Sequence, residues 1–138
     1  MIVVDTNVLA QLLLPHEEAI VAEELVSVDD AWHAPPSWRS ELRSVLVQRL
    51  RREALTFDEA TQCFVDAEDL VGEGTREVDP MRVVELAIAS GCTAYDCEFV
   101  EVARSIGAPL VTRDQQLLAA FPDLAVTPEE FLDARGPA

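Results

Sequence analysis

The run Met1–Val4 is apolar and largely β-branched, and it stops at Asp5. A strand with no alternating polar face has no side to turn to water, so it belongs inside a sheet covered on both faces. Pro109–Thr112 has the same character and is followed at once by Arg113 and Asp114. Most of the chain between these runs has helical periodicity. Short buried strands alternating with helices imply an α/β fold with a parallel sheet. In such sheets ligands bind outside the carboxyl ends of the strands, which is where Asp5 and Asp114 would stand.

The rest of the chain fills in this frame. Helical segments are expected at Thr6–Leu14, at His16–Val28 after a break at Pro15, and from a Ser37 cap to about Glu53. Another is capped by Thr56 and runs to about Val71. Asp79-Pro80 opens one that ends near Gly91, and a further helix spans Ala94 to Ile106 before Gly107. Ala31–Ala34, Thr75–Val78 and Leu124–Val126 are expected as further strands, which with the two runs above makes five. Arg113–Phe121 and Pro128–Ala134 complete the helices. Residues 1–135 are expected as one domain and residues 136–138 as a frayed tail.

Charge narrows the chemistry. The formal net charge is −16, and all ten basic residues are arginine. Without lysine there is no P-loop and no Schiff-base nucleophile. So negative a chain does not attract nucleic acid passively. A nuclease remains possible, because carboxylates that hold divalent cations must be negative and the cations invert the local field. The surplus acid reads either as a solvated surface or as one that recruits a basic protein. Cys63, Cys92 and Cys97, with His16 and His33, show no zinc spacing. An odd cysteine count fits the reducing cytoplasm. No signal peptide and no apolar run of membrane-spanning length is expected.

Four acids stand out by position. Asp5 ends the first strand. Glu41 lies about 40° from Val45, at the border of an apolar stripe formed by Trp38, Leu42, Val45, Leu46 and Leu50. Asp96 lies about 20° from Ala103, beside a stripe of Tyr95, Phe99, Val102, Ala103 and Ile106. Asp114 follows the strand Pro109–Thr112. Each has a plain structural reading: Asp5 as a helix cap, Glu41 as a surface residue at a stripe border, Asp96 and Asp114 as first-turn acids favoured by the helix dipole. Taken together they are costly unless a cation relieves their repulsion. Mg²⁺ or Mn²⁺ suits such oxygen donors.

Val3-Val4-Asp5-Thr6-Asn7-Val8-Leu9 resembles the opening motif of PIN domains. Ser40-Glu41-Leu42 is similar to the family's central glutamate, Tyr95-Asp96-Cys97-Glu98-Phe99 to its third acidic motif, and Leu110-Val111-Thr112-Arg113-Asp114 to its closing motif. The resemblance implies a three-layer α/β/α sandwich with a five-stranded parallel sheet. It implies Mg²⁺- or Mn²⁺-dependent hydrolysis of RNA phosphodiesters, leaving 5′-phosphate and 3′-hydroxyl ends. Asp5, Glu41, Asp96 and Asp114 would form the catalytic pocket, with Asp5, Asp96 and Asp114 on the metal. Thr6, Asn7 and Thr112 would support the acids or orient substrate; Arg113, beside the pocket, reads either as a phosphate contact or as half of a structural salt bridge. Cys97 replaces the alanine common after the third aspartate. Glu101 replaces an apolar or small residue and is read as solvated. Gln115-Gln116 adds no further acid.

Stand-alone PIN domains of this length resemble VapC-type toxins, which implies RNA as substrate, an antitoxin protein as partner and a homodimer. Arg39, Arg43, Arg49, Arg51 and Arg52 share the Glu41 helix and could track an RNA backbone, or could be solvent-side arginines paired with acids. A PIN-like protein-binding module with little or no nuclease activity is the competing reading. A phosphatase of the haloacid dehalogenase type also begins with an apolar strand and an Asp, but it needs a second Asp where this chain has Asn7.

Overall fold

A computed structural model describes residues 1–14 and 20–135. The expected break at Pro15, the helix start at His16 and the frayed tail 136–138 lie outside the described residues. The strands are β1 (Ile2–Val4), β2 (Trp32–His33), β3 (Leu110–Val111) and β4 (Ala125–Val126). They form one parallel sheet in the order β2-β1-β3-β4. The chain moves from β1 to β2 on one side and then crosses β1 to reach β3. The reversal places a crevice between the carboxyl ends of β1 and β3. Ile2, Val3, Leu110 and Val111 are fully buried, as strands without a polar face require.

Among the described residues four strands form where five were expected. Thr75–Val78 does not become a strand; it contributes a single bridge, Thr75 to Ala34. The preceding 3₁₀ turn, Gly72–Gly74, explains why. Gly74 comes so close to β2 that a Cβ there would lie 2.0 Å from the Trp32 carbonyl oxygen. Its own carbonyl receives the Ala34 N–H and faces His33 Nδ1. The segment meets the sheet edge as a turn, and Val78 then leads away into the next helix.

The helices are α1 (Thr6–Leu13), α2 (Ile20–Val28), α3 (Trp38–Arg51), α4 (Phe57–Val71), α5 (Pro80–Ser90), α6 (Ala94–Ile106), α7 (Gln115–Ala120) and α8 (Pro128–Arg135). Several ends follow from local chemistry. Thr56 and Glu59 form a reciprocal capping box at the start of α4. Asp79 caps α5 ahead of Pro80 at its first turn. Thr93 caps α6, and Gly91 and Gly107 take the left-handed conformation that ends α5 and α6. Ser37, expected as a cap for α3, does not act as one. It already has helical dihedrals, and its Oγ is buried without a hydrogen-bond partner among the described residues.

Helix α6 packs along β1 and β3, α4 packs against β2, and α3 rests on α1 and α4. The α3 stripe is inward as expected: Trp38 and Leu42 are fully buried, Leu46 is buried, and Val45 and Leu50 are partly so. Trp38 stacks on Phe64 and donates its indole N–H to Thr75 Oγ1, joining α3 to α4 and the Gly74 turn. In α6, Phe99, Val102 and Ala103 are buried, but Tyr95 is 70 % exposed. It sits in the first turn, beyond the reach of the sheet.

Glu101 is also not where it was expected. It is buried rather than solvated, and its carboxylate accepts the Asp79 N–H at 3.2 Å, at the start of α5. Helix α5 packs on α6 and covers the side of it that α6 alone would leave to water.

Candidate active site

Asp5 leaves β1 at the crevice. Its position and extended dihedrals are those of a cap for α1, yet its side chain makes no capping bond. The carboxylate is instead turned to Thr112, whose Oγ1–H donates to Oδ2 at 2.6 Å. No side-chain cap bond from Asp5 to α1 forms, although the Thr6 backbone N–H also favours its carboxylate. Thr112 is completely buried and Asp5 is 6 % exposed. The same threonine oxygen accepts the Asp114 N–H at 3.0 Å. One hydroxyl therefore ties the end of β1 to the turn after β3.

Glu41 comes from the first turn of α3. Thr6, at the start of α1, donates its hydroxyl to Glu41 Oε2 at 2.9 Å. Burial pushes the Glu41 carboxyl up to about 7; the Thr6 bond opposes this, and the charges of Asp5, Asp96 and Glu98 add to it. Burial also raises the Asp5 carboxyl. The Thr112 bond pulls it back, and the fields of Asp96 and Asp114 push it up again. Asp96, in the first turn of α6, is raised by burial and then by Asp114, against a Thr93 hydroxyl contact that lowers it. Asp5, Asp96 and Asp114 thus each add their charge to at least one other of the expected acids.

Their commitments differ. Asp114 spends one carboxylate oxygen, Oδ1, on capping α7, where it accepts the Leu117 N–H at 3.0 Å. The first-turn reading of Asp114 is thus correct in part and does not remove it from the crevice. Thr6 and Thr112 each hold an acid. Asn7 is exposed. Arg113 does not reach the acids: its Nε donates to Gln11 Oε1 at 2.8 Å, and its two terminal nitrogens donate to Glu129. It joins α1 to α8. Glu98, not singled out from the sequence, adds its charge to Glu41. Its spacing of two residues from Asp96 was the available signal. Cys97 is fully buried, so the small residue after Asp96 packs inward.

The donor set is all oxygen, which fits Mg²⁺ or Mn²⁺ and suits neither zinc nor copper. As the side chains stand, no three acids among the described residues are grouped closely enough to hold an ion.

The parallel sheet carries Asp5 and Asp114 just beyond the carboxyl ends of β1 and β3, and residues 2–123 match the PIN domain family, to which the chain belongs. Over 131 residues it is 32 % identical to Ribonuclease VapC3 of Pyrobaculum aerophilum, covering 92 % of this chain and 98 % of that protein. Among solved structures it is similar to PAE2754 from the same organism, with TM-score 0.76 and 22 % identity over 96 % of this chain and 93 % of that one. It also resembles FitAcB from Neisseria gonorrhoeae, with TM-score 0.72 and 16 % identity over 94 % and 99 % of the two chains.

Proposed function

We propose that this chain is a metal-dependent endoribonuclease and the toxin of a toxin–antitoxin pair. The observation that carries this reading is the commitment of Asp5. It is a buried carboxylate at the end of β1, it is not used for capping, and its charge opposes those of Glu41, Asp96 and Asp114. Such an arrangement is costly in a protein with no cation to bind. The name of the VapC3 relative supports ribonuclease chemistry.

Asp5, Asp96 and Asp114 are the residues that would hold Mg²⁺ or Mn²⁺. When bound, the ion supplies an acidified water and charge stabilisation at the phosphodiester. The chain's own groups do the rest. Thr112 orients Asp5, Thr6 orients Glu41, and the buried crevice floor strengthens every charge interaction within it. Glu41 can take up a proton near neutrality, which suits exchange with a water or a leaving oxygen.

The partners follow the same reading. An antitoxin with basic side chains would complement the net charge of −16. A homodimer is supported by Met81, Val84 and Ile88, exposed along one face of α5, with exposed Tyr95 nearby in sequence at the start of α6. A cytoplasmic location fits its free cysteines; no described helix is long and apolar enough to cross a membrane.

The test is RNA cleavage by wild type and Asp96→Asn, each with Mg²⁺, with Mn²⁺ and with chelator. Cleavage that needs metal and disappears in the variant is expected. No cleavage by folded protein freed of any bound partner would leave a PIN-fold binding module.

A further inference from the structure

Beside the acids lies a cavity of opposite character. Asn7, Gln11, Gln48, Arg49, Arg52 and Arg113 line it, and its volume is about 390 Å³. No carboxylate is among the described residues that line it. Three of the chain's ten arginines thus gather at one place in a molecule of net charge −16.

The cavity is built from the segments that build the acid crevice. Asn7 follows Asp5 by two residues in the first turn of α1, and Arg113 immediately precedes Asp114 in the turn from β3 to α7. Arg49 and Arg52 lie farther along α3 from Glu41, roughly 12 and 17 Å away at the helical rise of 1.5 Å per residue. The path from acids to arginines spans a few nucleotides of single strand. The Arg113 guanidinium is held in place by Gln11 and Glu129, bonds that engage three of its N–H groups and leave others for a further oxygen. The amides of Asn7, Gln11 and Gln48 supply neutral donors and acceptors, which suit phosphate oxygens and ribose hydroxyls.

We propose that this cavity grips the phosphodiester backbone of single-stranded RNA next to the cleaved bond. The inference rests on the nuclease reading above and deepens it. The acid crevice repels phosphate wherever a cation does not cover it, so affinity for RNA must come from cations outside the crevice. Arg49 and Arg52 supply charge along α3, and Arg113 fixes the end of the track nearest Asp114.

The test is fluorescence anisotropy with a short labelled single-stranded RNA, in Mg²⁺ and over a range of NaCl. Asp96→Asn protein serves as the uncut background, and Arg52→Ala and Arg49→Ala are added to it singly. Arg52 is exposed at the end of α3, so its loss should leave the fold intact, which a thermal melt checks. Each substitution is expected to weaken binding roughly 5–10-fold at low salt and to reduce the slope of log K against log salt by about 0.7, the value of one phosphate contact on a single strand. If RNA binds and neither substitution changes affinity or slope, the cavity is not the backbone site, while the nuclease reading stands. If affinity falls with the slope unchanged, the arginines shape the protein and do not hold phosphate, and the proposal fails. If the background protein binds no RNA and wild type cuts none, the nuclease reading falls and takes the subsite with it.

Discussion

Glu41→Gln should stabilise the metal-free protein while abolishing cleavage. Glutamine has the shape and helix propensity of glutamate, and its carbonyl oxygen can still accept the Thr6 hydroxyl. What it removes is a charge the fold resists. The Glu41 carboxyl moves from the ordinary 4.5 to about 7. Between those values the folded protein keeps a proton that the unfolded chain has released, so stability falls as pH rises through that window and levels off above it. At about 1.36 kcal/mol per pH unit the full displacement corresponds to at most about 3.4 kcal/mol. Glu41 is only partly buried, and allowing for solvent screening leaves about 1–2 kcal/mol. For a chain of this length that is roughly 4–8 °C in melting temperature. The assay is thermal unfolding by circular dichroism in chelator, wild type beside Glu41→Gln, across pH 4.5 to 8. The two melts should coincide at the acid end and separate progressively, with the variant more stable, until the gap is constant above about 7. Mg²⁺ at the alkaline end should narrow the gap by stabilising wild type. An equal gap at both ends of the range, or a variant less stable at pH 8, would refute the claim that the ionised carboxylate is held at a cost.

Asp5→Asn should also end cleavage and leave the chelated protein at least as stable as wild type, because Asn Oδ1 can accept the Thr112 proton and burial no longer confines a charge; an RNA assay paired with melts checks both halves. Gly74→Ala should cost about 1–3 kcal/mol, since the new methyl would lie 2.0 Å from backbone oxygen and the turn must move off the sheet edge; a urea midpoint close to that of wild type would contradict it. Thr56→Ala removes half of the capping box and should cost about 1 kcal/mol in urea denaturation, with cleavage unaffected.

What the sequence disclosed was mostly local. Gly107 ends α6 and Thr56 starts α4, because caps act within a turn of the residues that carry them. The strand-end acids were legible for the same reason: β-branched runs ending at Asp5 and just before Asp114 reveal both burial and direction. The misreadings arose where a distant segment decides. Glu101 seemed solvated on an isolated helix, but α5 packs over it and offers the Asp79 N–H. Tyr95 continued the apolar stripe of α6, yet the sheet ends before it. Thr75–Val78 has the composition of a strand, and the close approach of Gly74 to Trp32 turns it away after one bridge. Ser37 has the right side chain for a cap but the wrong dihedrals, set by a turn that hydrogen-bonds Trp38 N–H to the Pro35 carbonyl. The partition of Asp114 between capping and crevice could not be seen until α7 was in place.

The buried hydroxyl of Thr112 gives the crevice a direction. A hydroxyl has one proton. The Asp114 amide can only donate, so it occupies an acceptor position on Oγ1, and the single proton goes to Asp5 Oδ2. While that proton stays there, Oδ2 can receive and cannot give. A proton taken up by Asp5 must then settle on its other oxygen. The two oxygens of one carboxylate become chemically distinct, because Oδ2 is reserved by this hydroxyl. Serine at this position could preserve the distinction; valine, though matched in shape, would erase it.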